Sequence, residues 1–370
     1  MTAGETGRRR LATRAVHAGV NPRQNQGAVS PPIYQTATFV AADTADLEAI
    51  NSGKKRGYVY TRQRNPTVMA AEERLAALEE AESAVLFSSG MAAIDAAVAS
   101  VTRAGSEIVS ITDIYGGTYR LFSEIAPARG VKVNWCDSLE ADAIAACITP
   151  ATTAIYIETP TNPLVRLVDI AAVAKVALAR KIPLLVDGTL GGPMLQRPLQ
   201  LGADLVIHSA SKYLNGHGDL IIGAVAGARK MTKAVRQLQQ ALGAIPDPMA
   251  AWLFQRGMAT YPLRMAQHNA NGMAVAAFLS KHPKVLKVHY PGLASHPQHA
   301  LALRQMEGYG GLLAFEVAGG ADAARQVVDR CRLCGIGPSI GGIESLISQP
   351  ANTSHYSLPA AERAARGITE

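Results

Sequence analysis

The chain has 370 residues, 48% of them hydrophobic and 18% charged. That balance buries a sizeable core and excludes fibrous and disordered classes. The net charge of +7 comes from scattered Lys and Arg with one run, Arg8-Arg9-Arg10, and no aromatic-interleaved basic stripe. It reads as solvated surface, which argues against a nucleic-acid partner.

No apolar run is long enough to span a bilayer and no signal peptide opens the chain, so no membrane partner is expected and the default location is the cytoplasm. The cysteines are Cys136, Cys147, Cys331 and Cys334. The pair Cys331/Cys334 lacks the second pair or spaced histidines that a zinc site needs, so reduced structural thiols are expected and no metal.

Residues 1–60 have weak periodicity, with Pro31-Pro32 and many polar residues, and read as an extended arm that contacts a neighbouring subunit. Residues 61–250 alternate. A helix is predicted over Met69–Ala81, rich in Ala, Leu and Glu. An apolar strand follows at Ala84–Phe87, then a Ser88-Ser89-Gly90 turn into a helix over Met91–Val101. Strands are predicted at Glu107–Ile111, Val131–Cys136, Thr153–Glu158, Pro183–Asp187, Asp204–Ile207 and Ile221–Val225, with a helix at about Asp169–Lys181. Strands alternating with helices imply an α/β fold with a mainly parallel sheet, which binds ligands at the carboxyl ends of its strands. Residues 251–370 change style. One long helix over Ala250–Ser280, interrupted near Pro262, precedes a strand at Gly311–Val317, a helix at Ala321–Cys334 and a Gly-rich stretch at Gly335–Gly342. This suits a smaller α+β domain.

Four segments carry chemistry. Leu205-Val-Ile-His208-Ser209-Ala-Ser211-Lys212 delivers two hydroxyls and a lysine from the end of an apolar strand, which suits a lysine that binds a carbonyl beside an anion site. Leu184-Leu185-Val186-Asp187 ends a buried strand on a carboxylate. Such a charge is costly without a partner, and a protonated pyridine nitrogen is one. Ser89-Gly90-Met91 starts a helix, where backbone N–H groups attract phosphate and Gly90 permits close approach. Asp113-Ile-Tyr115-Gly116-Gly117 puts an aromatic ring in a loop after a strand, able to stack on a planar cofactor and to move a proton. Each has a plain structural alternative: a surface lysine, an Asp capping a turn, an ordinary helix start, a half-buried loop tyrosine.

Together these segments resemble the Cys/Met-metabolism family, which includes cystathionine γ-synthase, cystathionine γ-lyase and methionine γ-lyase. The resemblance runs in order through Tyr58-Val-Tyr60-Thr-Arg62 with Asn65-Pro66-Thr67, then Ser89 to Ala93, Asp113 to Thr118 and Glu158-Thr-Pro-Thr-Asn162-Pro163. It continues through Val186-Asp187, His208-Ser-Ala-Ser-Lys212-Tyr213 and Ser339 to Leu346. It covers nearly the whole chain after about residue 13. It implies the aspartate-aminotransferase type of fold, pyridoxal 5′-phosphate as cofactor, a small amino-acid substrate and a homotetramer of tight dimers with shared active sites.

By position, Lys212 resembles the Schiff-base lysine, Asp187 the pyridinium partner and Tyr115 the stacking tyrosine. The amides of Gly90 and Met91, with Ser89, Ser209 and Ser211, resemble the phosphate cradle. Tyr60 and Arg62 resemble residues that reach the phosphate in the neighbouring subunit. Asn162, Ser339 and Tyr60 resemble substrate contacts. The implied reaction is γ-elimination on a sulfur-containing or homoserine-derived amino acid, with Lys212 moving the Cα proton and Tyr115 protonating the leaving group. γ-Replacement is the alternative, and a non-catalytic cofactor-binding paralogue the alternative of another class.

The chain also departs from the family. Gly188 stands where asparagine is usual, Leu190 where an aromatic is usual, and Gly191, Gly192 and Gly218 where larger residues are usual. These losses read either as drift compensated elsewhere in the chain or as a pocket reshaped for an unusual leaving group or a specialised substrate. Gly117 replaces the cysteine typical of methionine γ-lyases, Pro338 the carboxylate of many γ-lyases, and Ile340 the tryptophan that would suggest a β-lyase. The carboxylate-clamping arginine of relatives lies beyond Glu370, so truncation of the sequence is expected.

Overall fold

The structure, a computed structural model, describes residues 10–353, 355–356 and 360–368. Arg8 and Arg9 of the basic run, and Thr369 and Glu370, lie outside the described residues.

A seven-stranded sheet organises the molecule. Its strands are β1 (Ser83–Phe87), β2 (Glu107–Ile111), β3 (Lys132–Cys136), β4 (Thr152–Glu158), β5 (Leu184–Asp187), β6 (Leu205–His208) and β7 (Gly223–Gly227), in the order β1-β7-β6-β5-β4-β2-β3. All pairs are parallel except those of β7, which runs antiparallel to both β1 and β6. The strands read as continuous apolar runs because both faces are covered. Val85 and Phe87 pack in one core, while Leu86 and Ala84 pack in the other. The α/β class and the mainly parallel sheet expected from the sequence are thus present.

Local chemistry sets the helix starts. Asn65 accepts the Thr67 N–H ahead of Pro66–Glu79, Asp169 accepts the Ala172 N–H ahead of Ile170–Arg180, and Asp247 accepts the Met249 N–H ahead of Pro248–Ala259. The long helix expected over Ala250–Ser280 is two helices, Pro248–Ala259 and Tyr261–Leu279, that meet at Thr260. Pro262 sits in the first turn of the second, where its missing N–H costs no hydrogen bond. The helix expected to Cys334 ends at Arg330, because Cys331 turns extended.

Several helices were not expected, among them Thr44–Asn51 in the stretch read as an extended arm, Ala141–Ala146 and His299–Gln305. Leu11–His17 occupies the stretch read as an extended arm and places Ala15 in the core. Arg229–Leu242 is mostly polar and buries only Thr232, Val235 and Gln239. Beyond the main sheet, β8 (Val285–His289) pairs antiparallel with β9 (Ala314–Val317).

This topology builds one edge. The parallel strands end there at Phe87, Ile111, Cys136, Glu158, Asp187 and His208. Loop 209–222 leaves β6 at that edge and re-enters the sheet as β7, with His208 opposite Ala224 and Phe87 opposite Gly223.

Candidate active site

Lys212 lies in that loop, half-buried, and its Nζ donates to Ser339 Oγ at 3.3 Å. No carboxylate pairs with it among the described residues. Burial holds its amine below the ordinary lysine pKa. Ser339 arrives from the Gly-rich stretch expected at 335–342, where Gly341, at φ +75°, lies so close to Tyr213 that a Cβ would stand 2.5 Å from its backbone nitrogen.

Asp187 ends β5 and is 5% exposed. It accepts the Thr189 N–H at 3.0 Å and the Tyr156 hydroxyl at 3.2 Å. Burial raises its pKa against these bonds. Its register partner on β4 is Glu158, also buried, whose pKa stands well above the carboxylate range through burial and then through the charge of Asp187. Two neighbouring buried carboxyls with no cation bonded to them among the described residues make a site that attracts a proton or a cation.

Ser89 caps the helix Gly90–Ala99 by accepting the Ala92 N–H at 3.1 Å. Gly90 and Met91 are its first two residues, whose amides have no intrahelical acceptor. A Cβ on Gly90 would lie 2.8 Å from Ser209 Cβ and 2.9 Å from Ser209 Oγ, so the helix start and the lysine loop touch backbone to side chain. The Ser209 N–H donates to Thr189 Oγ1 at 2.8 Å, tying this loop to the turn after Asp187. Ser211 is engaged differently from its neighbour. Its hydroxyl donates to the Ile222 carbonyl at 3.1 Å and accepts the Ile222 N–H at 2.8 Å, closing the loop across its two ends.

Tyr115 is 47% exposed. Its backbone N–H donates to Glu158 Oε2 at 2.8 Å. A Cβ on Gly117 would stand 2.6 Å from the Tyr115 ring and 3.0 Å from Met91 Sδ, so ring, loop and helix start are in mutual contact. Asn162 follows Glu158 by four residues, in the loop after β4.

A family model described as Cys/Met metabolism PLP-dependent enzyme matches residues 12–370. The chain belongs to that family. It is therefore an enzyme that uses pyridoxal 5′-phosphate (PLP). Over 97% of its length it is 42% identical to an L-methionine gamma-lyase of Pseudomonas putida, covering 91% of that protein. Over 94% it is 43% identical to a cystathionine gamma-synthase of Mycobacterium bovis, covering 88%. It is 39% identical to a cystathionine beta-lyase of Coxiella burnetii over 100% of this chain and 94% of the other. The crystal structure of metB from Corynebacterium glutamicum superimposes with a TM-score of 0.91 at 38% identity, over 95% of this chain and 90% of that one.

The residues present fit the family's cofactor. A lysine amine without a carboxylate partner suits a carbonyl carbon. The uncompensated Asp187 carboxyl suits a protonated ring nitrogen. The amides of Gly90 and Met91, beside Ser209, suit a phosphate. Tyr60 and Arg62 are not part of this cluster within one chain. Arg62 Nη1 donates to the Gln240 carbonyl at 2.7 Å and its guanidinium lies 5.8 Å from the Tyr60 ring.

The run Gly188–Gly192 does not open space, which favours compensation over a reshaped pocket there, whereas a Cβ on Gly218 would meet only Glu344 Oε2, at 4.0 Å. A Cβ on Gly192 would stand 2.3 Å from the Tyr261 hydroxyl, one on Gly191 3.1 Å from Gln196 Cβ, and one on Gly188 3.0 Å from Val206 Cγ2 and 3.3 Å from His208 Cε1. Leu190 is buried in the core. The missing side chains make room for Tyr261, Gln196 and His208. Sequence reasoning assigned no role to Glu158 or Tyr156. The signal for Glu158 was present, since it too is a carboxylate closing an apolar strand.

Proposed function

We propose that this enzyme catalyses PLP-dependent γ-elimination on a sulfur-containing or homoserine-derived amino acid. The observation that carries the reading is the juxtaposition of a carboxylate-free Lys212 amine, bonded to Ser339 Oγ, with the buried carboxyl of Asp187 at neighbouring strand ends.

The bound cofactor supplies an electron sink conjugated to the substrate's amino-bearing carbon. Lys212 would hold the cofactor through its amine, and the same amine would take the Cα proton of the substrate. Its depressed pKa keeps more of it in the neutral form that accepts a proton. Asp187 stabilises positive charge on the ring nitrogen, and Tyr156 and Thr189 fix its orientation. Gly90, Met91 and Ser209 bind the phosphate, with Ser89 and Ser211 shaping the walls. Tyr115 would lie against the cofactor ring and, after a Cβ proton is lost to supply the electrons of the new Cβ–Cγ double bond, would donate its phenolic proton to the group departing from Cγ. Asn162 and Ser339 bind on the substrate side. Tyr60 and Arg62 serve the site of a second copy, which makes the working unit at least a dimer and, in a pair of dimers, a homotetramer.

Elimination is preferred because it asks for no second substrate. γ-Replacement is the second reading, supported by the resemblance to a cystathionine gamma-synthase at 43% identity. The test is keto-acid release without added thiol from cystathionine, methionine, homocysteine and O-acylhomoserines. Release of 2-oxobutanoate is expected. Pyruvate would move the reaction to Cβ, and no keto acid from any of them would contradict elimination.

A further inference from the structure

The site contains a buried acid that the reaction above does not use. Glu158 ends β4 and is 4% exposed. It lies beside Asp187 in register across two parallel strands. A second carboxyl there is costly, since burial and like charge both oppose its ionisation. A neutral amide or hydroxyl would meet any simple need for strand termination.

What the carboxyl does is visible in its contacts. The residue after β2 that starts the short helix Gly116–Arg120 is Tyr115, and this helix has no side-chain cap. Glu158 Oε2 instead takes the Tyr115 N–H at 2.8 Å. This bond ties the loop after β2 to the end of β4. A neighbouring layer is separately tied. Thr161 Oγ1 donates to Asp113 Oδ2 at 2.9 Å, and the Thr161 N–H donates to the Arg166 carbonyl at 2.9 Å. The Thr159 N–H donates to the Asp187 carbonyl at 3.2 Å.

We propose that Glu158 is a positioning residue, holding the backbone of Tyr115 to the end of β4 so that the Tyr115 ring keeps its place against Gly117 and Met91. The inference rests on the roles given above to Tyr115 and Asp187. It adds a third acid whose work is geometric: it touches neither substrate nor ring, and it acts through the backbone of the residue that does. A displacement of about 1 Å at a reacting group costs about 100-fold in rate.

The test compares Glu158→Ala with Glu158→Gln in the PLP-loaded enzyme. Gln keeps an oxygen for the Tyr115 N–H, whereas Ala does not. The readouts are the visible circular dichroism of the bound cofactor, its dissociation constant by equilibrium dialysis, and the separation of kcat from KM. Glu158→Ala is expected to diminish the dichroic band, weaken cofactor binding and lower kcat by about 100-fold. Glu158→Gln is expected to restore the band and most of kcat. A wild-type band and wild-type cofactor affinity in Glu158→Ala would overturn the proposal, as would a loss in Glu158→Gln equal to that in Glu158→Ala. Should Glu158→Ala not fold, Glu158→Gln decides alone: a retained band supports the proposal and a lost band overturns it. The dichroism and dialysis do not depend on the substrate. A protein that passes them but releases no keto acid therefore fails the elimination reading and leaves this one intact.

Discussion

Asp113, Glu158 and Asp187 follow or close three adjacent strands, and burial raises the pKa of each. A carboxyl with a raised folded pKa retains a proton that the unfolded chain has released. Stability then falls as pH rises from the unfolded value, 4.5 for Glu158, through the raised folded value. Removing the ionisable group removes that loss. Cofactor-free Glu158→Gln should melt above the wild type at pH 8, and the gap should narrow at pH 5. A gap that is constant or wider at pH 5 would contradict the assignment. The same acids favour a bound cation, so function here is obtained at some expense of apoprotein stability.

Residue roles at the reacting end are equally accessible. Tyr115→Phe keeps the ring that fills the space against Gly117 and Met91 but removes the phenolic proton. Its kcat should fall by about 100-fold or more while cofactor retention stays near wild type. Equal loss of both would assign Tyr115 to stacking alone.

Among elements, the turn after β5 differs most from its expectation. Gly188 to Gly192 looked in the sequence like lost side chains, but the structure shows those volumes taken by side chains distant in sequence. Gly192 has φ +57° and faces the Tyr261 hydroxyl, which is itself buried and accepts the Met194 N–H at 3.4 Å. Gly192→Ala should cost about 1–3 kcal/mol in stability from overpacking and strain. Tyr261→Phe in the same chain should recover part of that loss, because the 2.3 Å approach is to the hydroxyl oxygen. Full additivity of the two changes in a thermal or denaturant cycle would show that the contact is not felt.

Legibility in the sequence followed the same physics. The strands β1, β2, β4, β5 and β6 were readable because runs such as Leu184-Leu185-Val186 are buried on both faces. Helix Arg229–Leu242 was not. It packs with a narrow stripe, and polar Gln239 reaches the Leu86 carbonyl from within the core. The antiparallel insertion of β7 was hidden too, since a strand's direction is set by the loop before it and leaves no mark on its own residues. At the site, Lys212, Asp187, Tyr115, Gly90 and Ser209 were legible from strand ends and a helix start, and the structure gathers them. The employment of Ser211 in closing its own loop was not, because it depends on Ile222 lying opposite.

For the whole molecule, one sheet edge carries the account. Six strand ends converge on it, the β6–β7 loop leaves from it, and the Gly-rich stretch 335–342 reaches Lys212 there through Ser339. The family relationship extends over residues 12–370, so the edge is part of a shared architecture and its chemistry is that of a PLP enzyme. Around that edge Tyr261 and His208 stand against glycines, Gly192 and Gly188.

The most direct measurement is borohydride reduction of the purified holoenzyme followed by peptide mass mapping, which fixes a carbonyl cofactor to the lysine that holds it. The account predicts a pyridoxyl-phosphate mass on the peptide containing Lys212, and its absence after Lys212→Ala. A cofactor mass on another lysine, or an unmodified Lys212 peptide in protein that retains the cofactor, would contradict the assignment on which the rest depends.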